Sequence, residues 1–169
     1  MSTQLNTSDQ LAVLAELHQL LQSHDIVYWL FGGWAVDFHA GHVTRPHGDI
    51  DIAVWHKDRV RLAALLECQG WAHSPQAGED GYTSYEHGAI KLEVAFLARD
   101  DQGLIYTPLR DGRGEWPNDT FGDDVAKLMG VQARVIGLRA LIVDKSIVRE
   151  DPATVAKDRA DLLSLAGRT

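Results

Sequence analysis

The chain has 169 residues, 45% of them hydrophobic, which is enough for one domain with a well-filled core. Its formal net charge of -8 excludes passive attraction to a nucleic-acid backbone or an anionic membrane, because like charges repel at long range. No apolar run is long enough to cross a bilayer, the polar start lacks a signal-peptide pattern, and the single cysteine leaves no intrachain disulfide, so a cytoplasmic protein without redox chemistry is expected.

From Ser8 or Asp9 as N-cap, Leu14, Leu17 and Leu21 recur at helical spacing and predict an amphipathic helix ending near Ser23. Residues 26–31 are apolar, aromatic and β-branched and stop at Gly32-Gly33, which predicts a buried strand and then a tight opening. Residues 34–40 follow as a short helix closed by Gly41. Residues 49–54 alternate Asp with Ile and small apolar residues, as in a strand with one carboxylate face and one core face. Val60, Leu62, Leu65 and Leu66 mark a second amphipathic helix running to Gly70, with Cys68 as a buried spacer on it. The stretch 75–88 reads as a loop with a strand near residues 82–86. A clear strand at 90–97 continues through a hairpin at 100–103 into residues 104–107. Residues 111–122 are turn-rich and announce no element. Two closing helices are expected at 135–146 and 152–166, the second with Val155 and Leu162, and Ala156 and Leu163, each one heptad apart. On them Lys145, Arg149, Lys157 and Arg159 read as solvated charges, one of which could reach a phosphate. Residues 1–169 thus read as one α/β unit, a mixed β-sheet flanked by helices, with 135–169 as its closing helical segment.

The chemistry concentrates in residues 31–54. Asp49 and Asp51 are two apart on a strand, so their side chains share a face about 6–7 Å apart along the chain. Held so, they repel unless a cation lies between them. Magnesium suits this pair, since it takes one or two carboxylates and completes its shell with water and phosphate oxygens. Two solvated acids on an exposed strand face are the plain alternative. Gly32 and Gly33, at a helix start, would let a triphosphate approach backbone N–H groups. Arg45 can fork onto phosphate, and His47 either adds a hydrogen bond or holds the turn. Glu93, between Leu92 and Val94, is a third acid in a strand too apolar to carry a charge without a partner. That partner is either a metal ion or Lys91, two residues away on the same face.

The pattern GGWAVD, then TRPHGDIDI, then a later strand with a third acid resembles the small nucleotidyltransferases that modify lincosamides or aminoglycosides, within the DNA polymerase β-like superfamily. The resemblance is clear over residues 27–97 and weaker over KDRADLL at 157–163. It implies that Asp49 and Asp51 bind magnesium with Glu93, as a pair of ions, and that Gly32, Gly33 and Arg45 handle the triphosphate with His47 beside them. Glu93 stands where family members commonly have aspartate. The implied reaction moves a nucleoside monophosphate, AMP from ATP, to a hydroxyl of a small amine antibiotic and releases pyrophosphate. Glu93 would then be general base, metal ligand or both. Two other readings stay open: a toxin-system or regulatory nucleotidyltransferase acting on protein or RNA, and a degenerate module that holds nucleotide without turnover. A homodimer is compatible with so short a chain, because a second copy can complete an open cleft. The acids Glu79, Asp80 and Glu86 are expected to form an acidic rim that attracts a cationic acceptor.

Overall fold

In the computed structural model, which describes residues 7–74 and 81–168, Leu11, Leu14, Leu17 and Leu21 share one face of α1 (Thr7–Ser23) and are all buried. That face packs against the two-stranded hairpin described below. β1 (Tyr28–Phe31) leads directly into α2 (Gly32–Ala40), which ends at Gly41 in the left-handed conformation with its N–H bonded to Asp37 O. β2 (Ile50–Trp55), a 3-10 turn (His56–Asp58) and α3 (Arg59–Cys68) follow. Then come β3 (Ala72–His73), β4 (Tyr82–His87), β5 (Ile90–Arg99), β6 (Ile105–Leu109) and β7 (Gly112–Glu115). The hairpin β8 (Val125–Leu128) and β9 (Val131–Arg134) precedes α4 (Leu138–Lys145) and α5 (Pro152–Leu165).

The main sheet is mixed, in the order β1-β2-β5-β4-β3 with β6 and β7 extending from β5. Only β2 and β5 run parallel; the other pairs are antiparallel. This is the mixed sheet with flanking helices expected from the sequence. β2 is covered on both faces beyond Asp51, and its alternation gives way there to a continuous buried run, Ile52, Ala53 and Val54.

Several local expectations are corrected. Val135 is no helical residue: it bridges Leu30, and the Ile136 N–H bonds to Leu30 O at 3.0 Å, so the helix begins only at Leu138. The β8–β9 hairpin is not announced by the sequence, because its tight turn places Met129, a residue without turn preference, at φ 50 beside Gly130 at φ 79. Cys68 is exposed, since it lies at the end of α3 on the face opposite Leu62 and Leu66. On α5, Val155 and Leu163 face outward, and the buried positions are Asp158, Asp161 and Leu165. Lys145 is buried too, for reasons given below. Residues Glu79 and Asp80 of the expected acidic rim lie outside the described residues, and Glu86 is an exposed residue of β4.

Candidate active site

Strand register brings the acids together. Asp51 and Glu93 are direct partners across the parallel β2–β5 pair, and Phe31, the last residue of β1, is the partner of Asp51 on the other side. Asp49 sits just before β2, one pleat back on the same face. One carboxylate oxygen from each of Asp49, Asp51 and Glu93 lies within 4.8 Å of the others. Oxygens bound to one magnesium ion, each about 2.0–2.1 Å from it, are at most about 4.2 Å apart, so small side-chain rotations would let all three share an ion. Burial, and then the charge of Glu93, raises the Asp49 carboxyl above its usual range, against the pull of Lys91, Lys157 and His47. Burial followed by Asp49 and Glu93 pushes Asp51 well above it, with Lys145 opposing and Asp144 adding to the rise. Hard oxygen donors that crowd and repel in this way fit a divalent cation. The Lys91 pairing also forms: its Nζ is 2.6 Å from Glu93 Oε1, and that hydrogen bond raises the Lys91 ammonium above its ordinary value.

The glycines are explained by what stands beside them. Gly32 has φ +69, and a Cβ there would overlap the Asp51 carboxylate. A Cβ on Gly33 would run into the His47 ring and lie 2.9 Å from Arg45 Nη2. Phe31, the N-cap of α2, offers no side-chain hydrogen bond, so the first N–H groups of the helix are not capped from within. They open beside the acidic triad, so a helix start that favours an anion adjoins carboxylates that favour a cation.

A buried polar scaffold holds this turn. Asp37 accepts hydrogen bonds from the Thr44 N–H at 3.1 Å and the Thr44 hydroxyl at 2.6 Å, and its other oxygen is 2.5 Å from His47 Nε2. Gln10, reaching over from α1, donates to His47 O at 3.0 Å and accepts from the Trp34 indole at 2.8 Å. His47 is thus buried against Trp34 and Gly33, and Trp34, Asp37 and Thr44 shape the segment that carries Arg45. Gln10 and Thr44 carry no chemical signature in the sequence and were not anticipated.

Arg45 forks onto Asp161 of α5, at 2.9 Å and 3.0 Å. Lys145 lies 3.0 Å from the same carboxylate and 3.2 Å from Asp158, which corrects the expectation that it is a solvated charge. Burial alone would raise Asp161, but the Arg45 and Lys145 hydrogen bonds and charges outweigh it and hold the carboxyl below its usual value. Lys145 in turn is held above its ordinary value by Asp161 and Asp158, despite a burial that works the other way. The available signal was Asp158, Asp161 and Leu165 at spacings of three and four, a buried helical stripe in which two members are acids.

A cleft of about 420 Å³ opens between the β6–β7 hairpin and α4, lined by Tyr82, Glu115, Trp116, Asp144 and Arg149 among others. Trp116 packs edge-on against Phe31, the strand partner of Asp51, with ring centroids 5.5 Å apart.

The aminoglycoside-2''-adenylyltransferase family model matches residues 13–159, a span that contains the sheet, the acidic triad and most of the closing helices. The chain belongs to the aminoglycoside-2''-adenylyltransferase family. Its curated relatives include a 2''-aminoglycoside nucleotidyltransferase of Klebsiella pneumoniae, 40% identical over 57 residues, which are 32% of this chain and 32% of that protein. One from Escherichia coli is 39% identical over 57 residues with the same coverage of both chains. The match therefore spans about a third of the length of these curated relatives. Among solved structures, the lincosamide antibiotic adenylyltransferase LnuA with lincomycin bound has a TM-score of 0.74 at 22% identity, covering 99% of this chain and 100% of that one. ANT(2'')-Ia in complex with adenylyl-2''-tobramycin gives 0.71 at 21% identity, with 94% and 90% covered. At such identities the structural likeness speaks for the fold. In this member of the aminoglycoside-2''-adenylyltransferase family, Asp49, Asp51 and Glu93 converge, Gly32 lies against Asp51, and Arg45 and His47 lie against Gly33.

Proposed function

We propose that the chain is a magnesium-dependent nucleotidyltransferase that moves AMP from ATP to a hydroxyl of an aminoglycoside antibiotic, with residues 1–169 acting as one domain and 135–169 closing it. The observation that carries this reading is the convergence of three carboxylates beside an uncapped, glycine-lined helix start. In the transfer, the acceptor oxygen bonds to the α-phosphorus, the bond from that phosphorus to the bridging oxygen breaks, and pyrophosphate leaves. Magnesium, as two ions held by Asp49, Asp51 and Glu93, would neutralise phosphate charge and align the reacting oxygens. The chain's own groups do the rest. N–H groups at the start of α2 and the Arg45 guanidinium hold the triphosphate, and His47 keeps that turn in shape from below. Glu93 takes the proton of the attacking hydroxyl, with Lys91 orienting its carboxylate.

Support for an aminoglycoside acceptor comes from the family and from the adjoining cleft. Tyr82 and Trp116 offer aromatic faces to a sugar ring, while Asp144 and Glu115 offer carboxylates to its ammonium groups. A cytoplasmic reaction is the reading that ATP as donor supports. Among the described residues no helix is long and apolar enough to cross a membrane. The test is pyrophosphate release with each of the four nucleoside triphosphates against a panel of aminoglycosides and lincosamides, with magnesium or with EDTA. Release with ATP and an aminoglycoside, abolished by EDTA, is expected. Release with lincosamides alone would move the acceptor class, and no release with any pair would return the chain to a protein or RNA target or to a nucleotide-binding module.

A further inference from the structure

Asp161 projects from α5 into the protein with its side chain 1% exposed, and it meets two cations from distant parts of the chain. Arg45, in the segment between α2 and β2, donates Nε–H to Oδ1 at 2.9 Å and an Nη2–H to Oδ2 at 3.0 Å. Lys145, in the last turn of α4, reaches Oδ2 at 3.0 Å. A third Arg45 N–H goes to the Pro46 carbonyl at 3.2 Å. A guanidinium carries five N–H donors, so two are left without a protein acceptor among the described residues, one of them on Nη2. That Nη2 is the atom 2.9 Å from where a Cβ of Gly33 would sit, beside the helix start.

A plain charge partner for Asp161 is already present in Lys145, and a single ion pair would satisfy the buried carboxylate. The two-point fork onto Arg45 adds something else. It fixes the plane of a guanidinium whose side chain is 22% exposed and would otherwise sample many rotamers.

We propose that Asp161 is a positioning residue for the nucleotide: it clamps one edge of the Arg45 guanidinium so that the remaining N–H groups face a triphosphate at the Gly32-Gly33 helix start. The inference rests on the reading of Arg45 as a triphosphate ligand. Lys145 grips the same carboxylate from the other side, so one buried acid joins the nucleotide end of the site to α4, whose Asp144 borders the cleft.

The experiment uses Arg45→Lys, Asp161→Asn, the double variant and Asp161→Glu in the full chain. Affinity for a non-hydrolysable ATP analogue with magnesium is measured by equilibrium binding, alongside KM for ATP and kcat. The expected result for Asp161→Asn is nucleotide binding weakened about five- to ten-fold with kcat within about two-fold, and a double variant no weaker than Arg45→Lys alone, since the two residues act as a unit. Asp161→Glu, which keeps the charge and shifts the fork by one methylene, weakens nucleotide binding while the melting temperature stays near that of the parent. If Arg45→Lys weakens the nucleotide but Asp161→Asn and Asp161→Glu bind it as the parent does, the positioning role is overturned and Arg45 keeps its own. If Arg45→Lys binds as the parent does, the phosphate reading of Arg45 falls and the inference with it. Should Asp161→Asn fail to fold, Asp161→Glu decides alone: parental affinity marks a merely structural carboxylate.

Discussion

Asp49 and Asp51 are held at a distance that suits a shared cation and disfavours two bare charges, and burial sharpens both effects. Asp51→Asn keeps the side-chain volume and removes one charge from the cluster. Without divalent metal this variant is expected to melt at or above the parent temperature. Magnesium should raise the melting point of the parent, because it binds only the folded state, and should leave the variant unmoved. Turnover should fall at least about a hundred-fold in Asp49→Asn and Asp51→Asn. A magnesium-dependent shift in both variants equal to the parent's would remove the metal assignment.

Glu93 has two partners within reach, the other acids and Lys91, and kinetics separate the two roles. As base or metal ligand, Glu93→Gln should lower kcat by about a hundred-fold or more and change nucleotide affinity far less. Lys91→Met should cost only about 0–1 kcal/mol of stability, because the pair is partly open to solvent. Equal destabilisation by the two substitutions, with activity per folded molecule unchanged, would assign Glu93 to a structural pair instead.

At the scale of elements, α5 is held by charge where most helices are held by apolar side chains. Its inward face presents Asp158, Asp161 and Leu165, and the two acids meet Lys145 and Arg149 of the α4 region and Arg45 of the α2–β2 segment. Breaking this network by Asp161→Asn should cost about 3–5 kcal/mol, since it leaves buried cations short of a partner. The pH dependence follows from the directions of the shifts. Asp161 lies below the ordinary 3.8 in the folded protein, so its contribution is fully present above that pH and is lost as pH falls further, through the folded value. Lys145 lies above its ordinary 10.5, so its contribution is complete below that pH and is lost as pH rises through the folded value. The difference in urea midpoint between parent and Asp161→Asn should therefore stay level from about pH 5 to 9 and shrink in stronger acid. A difference that is constant down to the acid limit would mean that Asp161 acts through packing alone.

For the whole molecule, a net charge of -8 sets up a field that draws cations, and the proposed acceptor is cationic. The kcat/KM for an aminoglycoside should fall as ionic strength rises, more steeply for acceptors with more ammonium groups. Asp144 borders the cleft and pairs with Arg149 at 3.3 Å, so Asp144→Asn should both lower kcat/KM and flatten the salt profile. A profile that is flat for every active acceptor in the parent would remove electrostatic capture and leave acceptor choice to contacts within the cleft.

Much of this site was legible in the order of residues because its parts are local. Gly32-Gly33 after an apolar strand, and Asp49 and Asp51 two apart on the next one, define their own neighbourhood through strand period and turn chemistry. Glu93 was legible through the cost of a charge in an apolar strand, though only the β2–β5 register decided that it faces Asp51. The hairpin at Val125–Arg134 and the start of α4 were not legible, since a turn that puts Met129 at positive φ and a backbone bond to Leu30 leave no local mark. Nor was the fate of Lys145 and Asp161, because a helical charge reads as solvated until a partner is known, and their partners lie in other segments, Arg45 at a separation of 116 residues from Asp161. What the sequence determined by itself was the local arrangement of the candidate groups in residues 31–54, whose spacing is short enough for the covalent chain to fix. Only the tertiary structure decided which charges are buried and paired, because desolvation and Coulomb attraction depend on distances that the chain sets by folding.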